Sequence, residues 1–261
     1  IRDRDHTDEV KDIPEEDLNN IYRKFGLTAG EVLDDAIAGR IYGLFSFHIP
    51  VAEGNFPEAG GWWFRTVWFR DMYEGILNNY HTYRNYYGTD FLVDTFRKGF
   101  SYLSKDGRLP NKFPERKNEE ISYSSADSAL LALILGCKIW ENEHRRDVGE
   151  ETLDYLMKIA DSYTKNREDI PDGAPVLKEN GLLTVVPWHS WIDSRRWIRG
   201  KQVASRLSDK YVTELINEMG EDDAINYMSS PHYYLPEINA LWILALDYAQ
   251  KIARDLGYSD E

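Results

Sequence analysis

The sequence has one cysteine, Cys137, in 261 residues, so no disulfide can form within the chain, which favours the cytoplasm. At the end of the apolar run from Ala129 to Cys137, it reads as a small buried hydrophobe. That run is the longest of its kind and falls well short of the ~20 apolar residues of a membrane span. No signal peptide is visible, and the chain starts at Ile1 rather than Met. Metal-ligand spacing is missing too: the six histidines are scattered, with no HExxH or CxxC. There is no P-loop, dinucleotide fingerprint or GxSxG elbow. Nucleotide and hydride chemistry lose their support, and no metal or cofactor is expected. Positive charge is in deficit, with 31 Lys and Arg against 45 Asp and Glu and a net charge of −14. Such a chain repels nucleic acid and anionic membranes and suits a neutral substrate; ordinary solubility accounts for the charge equally well.

Aromatic residues are abundant: 8 Trp, 17 Tyr and 10 Phe. Their faces stack on the C–H faces of sugar rings, although aromatics also simply fill cores. Residues 1–16, mostly charged, read as a mobile arm or the lead-in from an upstream domain. From residue 17 to 261, helical stretches alternate with long polar loops. A helical stripe runs through Val32, Leu33, Ala36, Ile37, Ile41 and Leu44. Further helices are predicted over 71–87, 91–103, 126–140, 148–164, 209–219 and 237–256. Gly88, Ser124 or Ser125, Ser208, Pro236 and Gly257 supply their stop and start signals. The 126–140 segment is apolar all round and therefore buried. Residues 182–187 read as a short extended piece. The loops over 46–69, 104–124 and 166–235 are long enough to be functional. The fold class is all-α, and outer and inner helices with loops gathered at one end suggest an α/α toroid. About six main helices make only half of a six-hairpin toroid.

Acids beside aromatics carry what chemistry is legible. Trp62, Trp63 and Trp68 lie near Asp71; Trp188, Trp191 and Trp197 surround Asp193; Trp242 follows Glu237 by five residues. Asp71, Asp127 and Glu237 each fall in the first turn of a predicted helix. The helix dipole alone favours acids there, by roughly 0.3–1 kcal/mol. If inner helices run parallel, however, the three acids line one cup. Asp193 sits in PWHSWIDSRRW, where indole rings would strip its hydration and raise its pKa toward that of a general acid. A salt bridge with Arg195 or Arg196 would lower it instead, and the sequence leaves both open.

GWWFRTVWFRDMYEGI (61–76) resembles the tryptophan-rich segment of the amylo-α-1,6-glucosidase domain of glycogen debranching enzymes. Phe69 and Met72 stand where that family's Gly-Arg-Asp-Thr motif has Gly and Thr. DGRLPNKFPE (106–115), SYSSADSALLAL (122–133), SWIDS (190–194) and PEINALWILAL (236–246) resemble further segments of the family, in the family's order. The resemblance implies an (α/α)6 barrel of the glucoamylase-like type and an inverting α-glucosidase. It implies that Arg70 and Asp71, with Trp68 beside them, hold the terminal glucose, and that Asp193 is the general acid. Asp127, Trp191 and Glu237 would line the sugar subsite. The family's general base comes from a later part of its barrel, and no base is assigned here. Three functions stay open. One is release of glucose from α-1,6 branch stubs or related α-glucosides. Another is hydrolysis of a small glycoside of the trehalose or glycosyl-glycerate type. The third is carbohydrate binding without a base. A second chain completing the barrel is the one protein partner considered.

Overall fold

The computed structural model describes residues 13–51, 54–59, 65–114, 119–164, 173–198 and 200–258. Most of the arm expected over 1–16 therefore lies outside them, as do Trp62 and Trp63; the first helix already begins at Glu15. The chain forms two compact units, one of Ile1–Leu92 with Phe113–Glu119, the other of Val93–Lys112 with Glu120–Glu261. Among the described residues, ten helices and three two-stranded hairpins make a helix-rich fold. No described helix is long and apolar enough to cross a membrane.

In the first unit, α1 (Glu15–Phe25) and α2 (Val32–Ser46) pack around Ile21, Ala38 and Ile41. The turn between them is tied to the first turn of α2: the backbone N–H of Thr28 donates to Asp34, and that of Gly30 to Asp35. Acids at a helix start are thus accepting backbone N–H bonds from the preceding loop. Val32 and Leu33, read as part of an inward stripe, are 75% and 73% exposed. Of the stripe, Ile41 does face inward, and Ala38, Tyr42 and Phe45 complete the covered face. A 15-residue helix with apolar residues over much of its circumference does not announce which side its neighbour will cover. The hairpin β1 (His48–Val51) and β2 (Gly54–Pro57) follows. The helix predicted over 71–87 is in fact two, α3 (Phe69–Asn78) and α4 (Tyr80–Tyr87). Asn79 separates them, its side-chain amide donating to the Gly75 carbonyl at 2.9 Å. Asparagine offers such local bonds in competition with helix continuation. Helix α5 (Thr89–Phe100) starts in this unit and belongs to the second from Val93 onward.

The second unit is built on α6 (Ser128–Glu143), α7 (Arg146–Thr164) and α10 (Pro236–Leu256). From Ser128 to Cys137 every residue of α6 is buried. A Cβ on Gly136 would collide with the Thr152 side chain and the Phe96 ring, so α6 lies unusually close to its neighbours. His144 in the left-handed region ends α6 and lets α7 turn back. Both starts of α6 and α10 are bonded to consecutive loop residues, Ala126 N–H to the His189 carbonyl and Ser190 Oγ to Glu237. Their far ends also meet: Trp140 Nε1 donates to Asp255 at 3.1 Å and the Tyr248 hydroxyl to Glu141 at 3.1 Å. Helices α6 and α10 therefore run parallel. Arg146, at the start of α7, donates to the Leu256 carbonyl at the end of α10, so α7 returns antiparallel.

Two hairpins, β3 (Val176–Leu177) with β4 (Leu183–Thr184) and β5 (Arg195–Ile198) with β6 (Lys201–Ala204), lie in the loop expected over 166–235. The same loop holds α8 (Asp209–Met219), which Ser208 caps as expected, and α9 (Glu221–Met228), which was not predicted. These two helices and β6 share a core of Val203, Leu207, Val212, Leu215 and Met228.

Candidate functional site

Three features converge at the N-terminal end of α6 and α10. The first is the start of α6. Ser125 does serve the first turn, but the helix begins two residues later than predicted, at Ser128. Ser125 Oγ donates to the Asp127 carboxylate, lies 2.7 Å from Ser128 Oγ and receives the Ser128 N–H. Asp127 is 3% exposed. Asn111 pins the chain just before it, its amide exchanging bonds with both the backbone and hydroxyl of Ser124. The two halves of the long 104–124 loop thus brace each other. Within that loop Asp106 and Arg108 form a buried ion pair at 2.5 Å, and the Tyr163 hydroxyl holds the Gly107 carbonyl.

The second feature is Glu237, in the first turn of α10. Its Oε1 accepts from Arg206 Nη2 at 2.8 Å and from Ser190 Oγ at 2.9 Å, and the same Arg206 nitrogen reaches Ser190 Oγ at 2.9 Å. Burial pulls the Glu237 pKa upward. The Arg206 hydrogen bond, the helix-start N–H of Glu237 itself and the Ser190 hydroxyl outweigh it and hold the carboxyl below the usual range. Glu237 is therefore an anion with acceptor capacity to spare. Among the described residues the buried Nε of Arg206 has no hydrogen-bond partner, which costs about 1–3 kcal/mol. Neither Arg206 nor Ser190 was singled out from the sequence. Arg206 sits in an irregular loop with no periodic signal; Ser190 was passed over inside SWIDS.

The third feature is the loop through residues 187–194. His189 is buried and its Nδ1 lies 3.1 Å from the Gly173 carbonyl, which fixes the loop behind the site. Trp191 and Asp193 follow Ser190 directly. Trp191 is 61% exposed, and Asp193 is exposed as well. The burial of Asp193 against indole rings, one of two environments open at the sequence level, is not what this loop provides. Of the two arginines weighed as its ion-pair partners, Arg195 donates to Gln202 and lies over the Trp188 ring at 5.2 Å, while Arg196 is bonded to Asp209 and the Leu207 carbonyl. Trp242, counted among the site tryptophans, is a core residue at 2% exposure whose Nε1 donates to the Gly181 carbonyl.

The loop of His189 and Ser190, which continues to Trp191 and Asp193, thus joins the starts of α6 and α10, next to Asp127 and at Glu237. Trp68, Arg70 and Asp71 belong to the first unit, at the start of α3. Trp68 precedes the helix, its buried Nε1 without a partner among the described residues; Arg70 is half-buried and Asp71 is exposed. Asp71 lines an open cleft of about 420 Å³ together with Phe47, Glu58, Glu74, Asn78 and Tyr83. Among the described residues, no group of three or more His, Cys, Asp or Glu is placed to hold a metal ion. Comparison with protein-family models, with curated proteins and with solved structures finds no match for this chain.

Proposed function

We propose that this chain is the sugar-cleaving part of an inverting α-glucosidase that releases glucose from α-1,6 branch stubs or related α-glucosides. One observation carries the reading: the starts of two parallel helices, bearing Asp127 and Glu237, are cross-linked by the loop that bears Asp193. An α/α toroid brings the N-termini of its inner helices to one end in this way, with α7 as an outer helix between α6 and α10. Asp193, exposed beside Trp191, has open access to a leaving-group oxygen and serves as general acid. Glu237, held anionic by Arg206, accepts from sugar hydroxyls, and Asp127 supports the same subsite. The family resemblance assigns Arg70 and Asp71, of the first unit, to a terminal glucose. An inverting mechanism adds a general base roughly 6.5–9.5 Å from the acid, with water between. The apolar face of α10, where Ile243 and Leu244 are 55% and 40% exposed, suits a further layer of helices, and a second chain is one source of that layer and of the base. The buried thiol of Cys137, its pKa pushed up to about 12 by desolvation, stays reduced and inert, in keeping with a cytoplasmic enzyme.

The test is glucose release from a phosphorylase limit dextrin, with the anomer read by NMR. Free β-glucose supports an inverting α-glucosidase. Asp193→Asn is expected to lower turnover by ~10²–10⁴-fold while dextrin binding stays. Normal cleavage by that variant removes Asp193 from the mechanism. A second reading, carbohydrate binding without turnover, draws on the pairing of Glu237 with Arg206, which commits that carboxylate to binding rather than to proton abstraction. Dextrin binding with no glucose release would select it.

A further inference from the structure

The hairpin of β5 and β6 has two unlike faces. Its inner face carries Ile198 and Val203, which pack on the α8–α9 core, and Arg196, bonded to Asp209 and the Leu207 carbonyl. On its outer face Trp197 pairs with Gln202 across the strands and is 69% exposed. Arg195, on the same face, donates from Nη1 to Gln202 Oε1 at 3.3 Å and is steadied by the Trp188 ring. Trp197 thus shares one face of the ribbon with a guanidinium and an amide, and an indole carries an apolar face that stacks on sugar C–H groups. The patch is also small. A stable protein interface buries about 800 Å² on each partner, whereas one indole with two polar neighbours matches a single hydroxylated ring. The net charge of −14 disfavours nucleic acid and anionic membrane as occupants.

We infer that the outer face of this hairpin is a separate sugar-stacking subsite, in which Trp197 takes the face of a pyranose and Arg195 and Gln202 take its hydroxyls. The hairpin begins two residues after Asp193, so the subsite holds sugar units beyond the bond that is cut. It selects a chain of several sugars over a disaccharide. This inference rests on the glycosidase reading for its place in the substrate, and its test is chosen to separate the two.

The protein is run through native gels with and without phosphorylase limit dextrin. The wild-type chain is slowed by the dextrin, and Trp197→Ala weakens the apparent affinity about fivefold or more. Trp197→Phe, which keeps a flat ring, retains most of it. Tyr258→Ala, which removes an exposed aromatic at the end of α10, is the control and migrates like wild type. Trp197 is largely exposed, so its loss leaves the fold intact, which far-UV circular dichroism verifies. Equal retardation of Trp197→Ala and wild type overturns the inference, as does absence of retardation in the wild type. A change in sedimentation coefficient on Trp197→Ala, without a change in dextrin affinity, overturns it in favour of self-association. Binding through Trp197 with no glucose release would remove the hydrolase reading and leave the subsite standing.

Discussion

Two polar clusters, one in each unit, show how differently buried polar groups can be used. In the first unit His48 lies among Phe45, Tyr83, Tyr87 and Phe91, stacked on three of these rings and edge-on to Phe45. Its Nε2 and Nδ1 are each 3.2 Å from a tyrosine hydroxyl, of Tyr83 and Tyr87. Both ring nitrogens are satisfied, and burial pushes the pKa down to about 4, so the ring is neutral near pH 7. In the second unit Glu237 and Arg206 are charged and only partly satisfied. A cluster that closes on itself serves the fold. One that keeps spare acceptor capacity on a partly exposed carboxylate at a helix start is available to a ligand.

That contrast can be broken at Arg206. Arg206→Ala should weaken dextrin binding by more than about tenfold, and lower stability by about 1–3 kcal/mol because Glu237 is left half-buried without its cation. Glu237→Gln should relieve part of the stability loss when combined with it, since the uncompensated charge is gone. A double-mutant cycle in urea measures this, and strict additivity would mean that the pair is not coupled.

Acid sharpens the same contrast. A base whose pKa is about 4 folded and about 6.5 unfolded binds fewer protons when folded, so its stability contribution is full above about pH 6.5 and disappears as pH falls to about 4. Allowing for partial exposure of the ring, the loss is on the order of 2 kcal/mol. Near-UV circular dichroism of the tyrosine signal, followed with urea at pH 7 and pH 4.5, should show it, and His48→Phe should flatten it without affecting dextrin binding. Glu237 acts in a lower window: its depressed pKa adds stability above the ordinary carboxylate range, lost as pH falls below that range. The smallest effect belongs to the far end of α6. Trp140→Phe deletes the bond to Asp255 and should cost about 0.5–1.5 kcal/mol, with glucose release unaltered. A fall in activity there would erase the distinction between the two ends of the helices.

The helices that could be read from sequence are those with strong local signals: α6 through its unbroken apolar run, α8 through Ser208, α10 through Pro236 and Gly257. Helix α9 was missed because its three leading acids read as polar loop. The covered side of α2 was misread because its apolar residues spread over too wide an arc. At the site, Glu237 was legible as a first-turn acid, and Asp127, read as one, stands just before α6 instead. Their linkage was not, because it depends on Ser190 and Arg206, which are brought to α10 from 47 and 31 residues away.

Asn239, in the first turns of α10, bonds to Leu183 in both directions: its side-chain oxygen accepts the Leu183 N–H at 2.8 Å and its amide donates to the Leu183 carbonyl at 3.0 Å. One side chain on a helix thus stands in for a neighbouring strand. Strand β4 is only two residues long and buried, and its Leu183 amide proton is held by a side chain of α10. In a hydrogen-exchange experiment that proton should therefore keep time with the helix rather than with the loop around it, and Asn239→Ala should release it to the loop's faster clock.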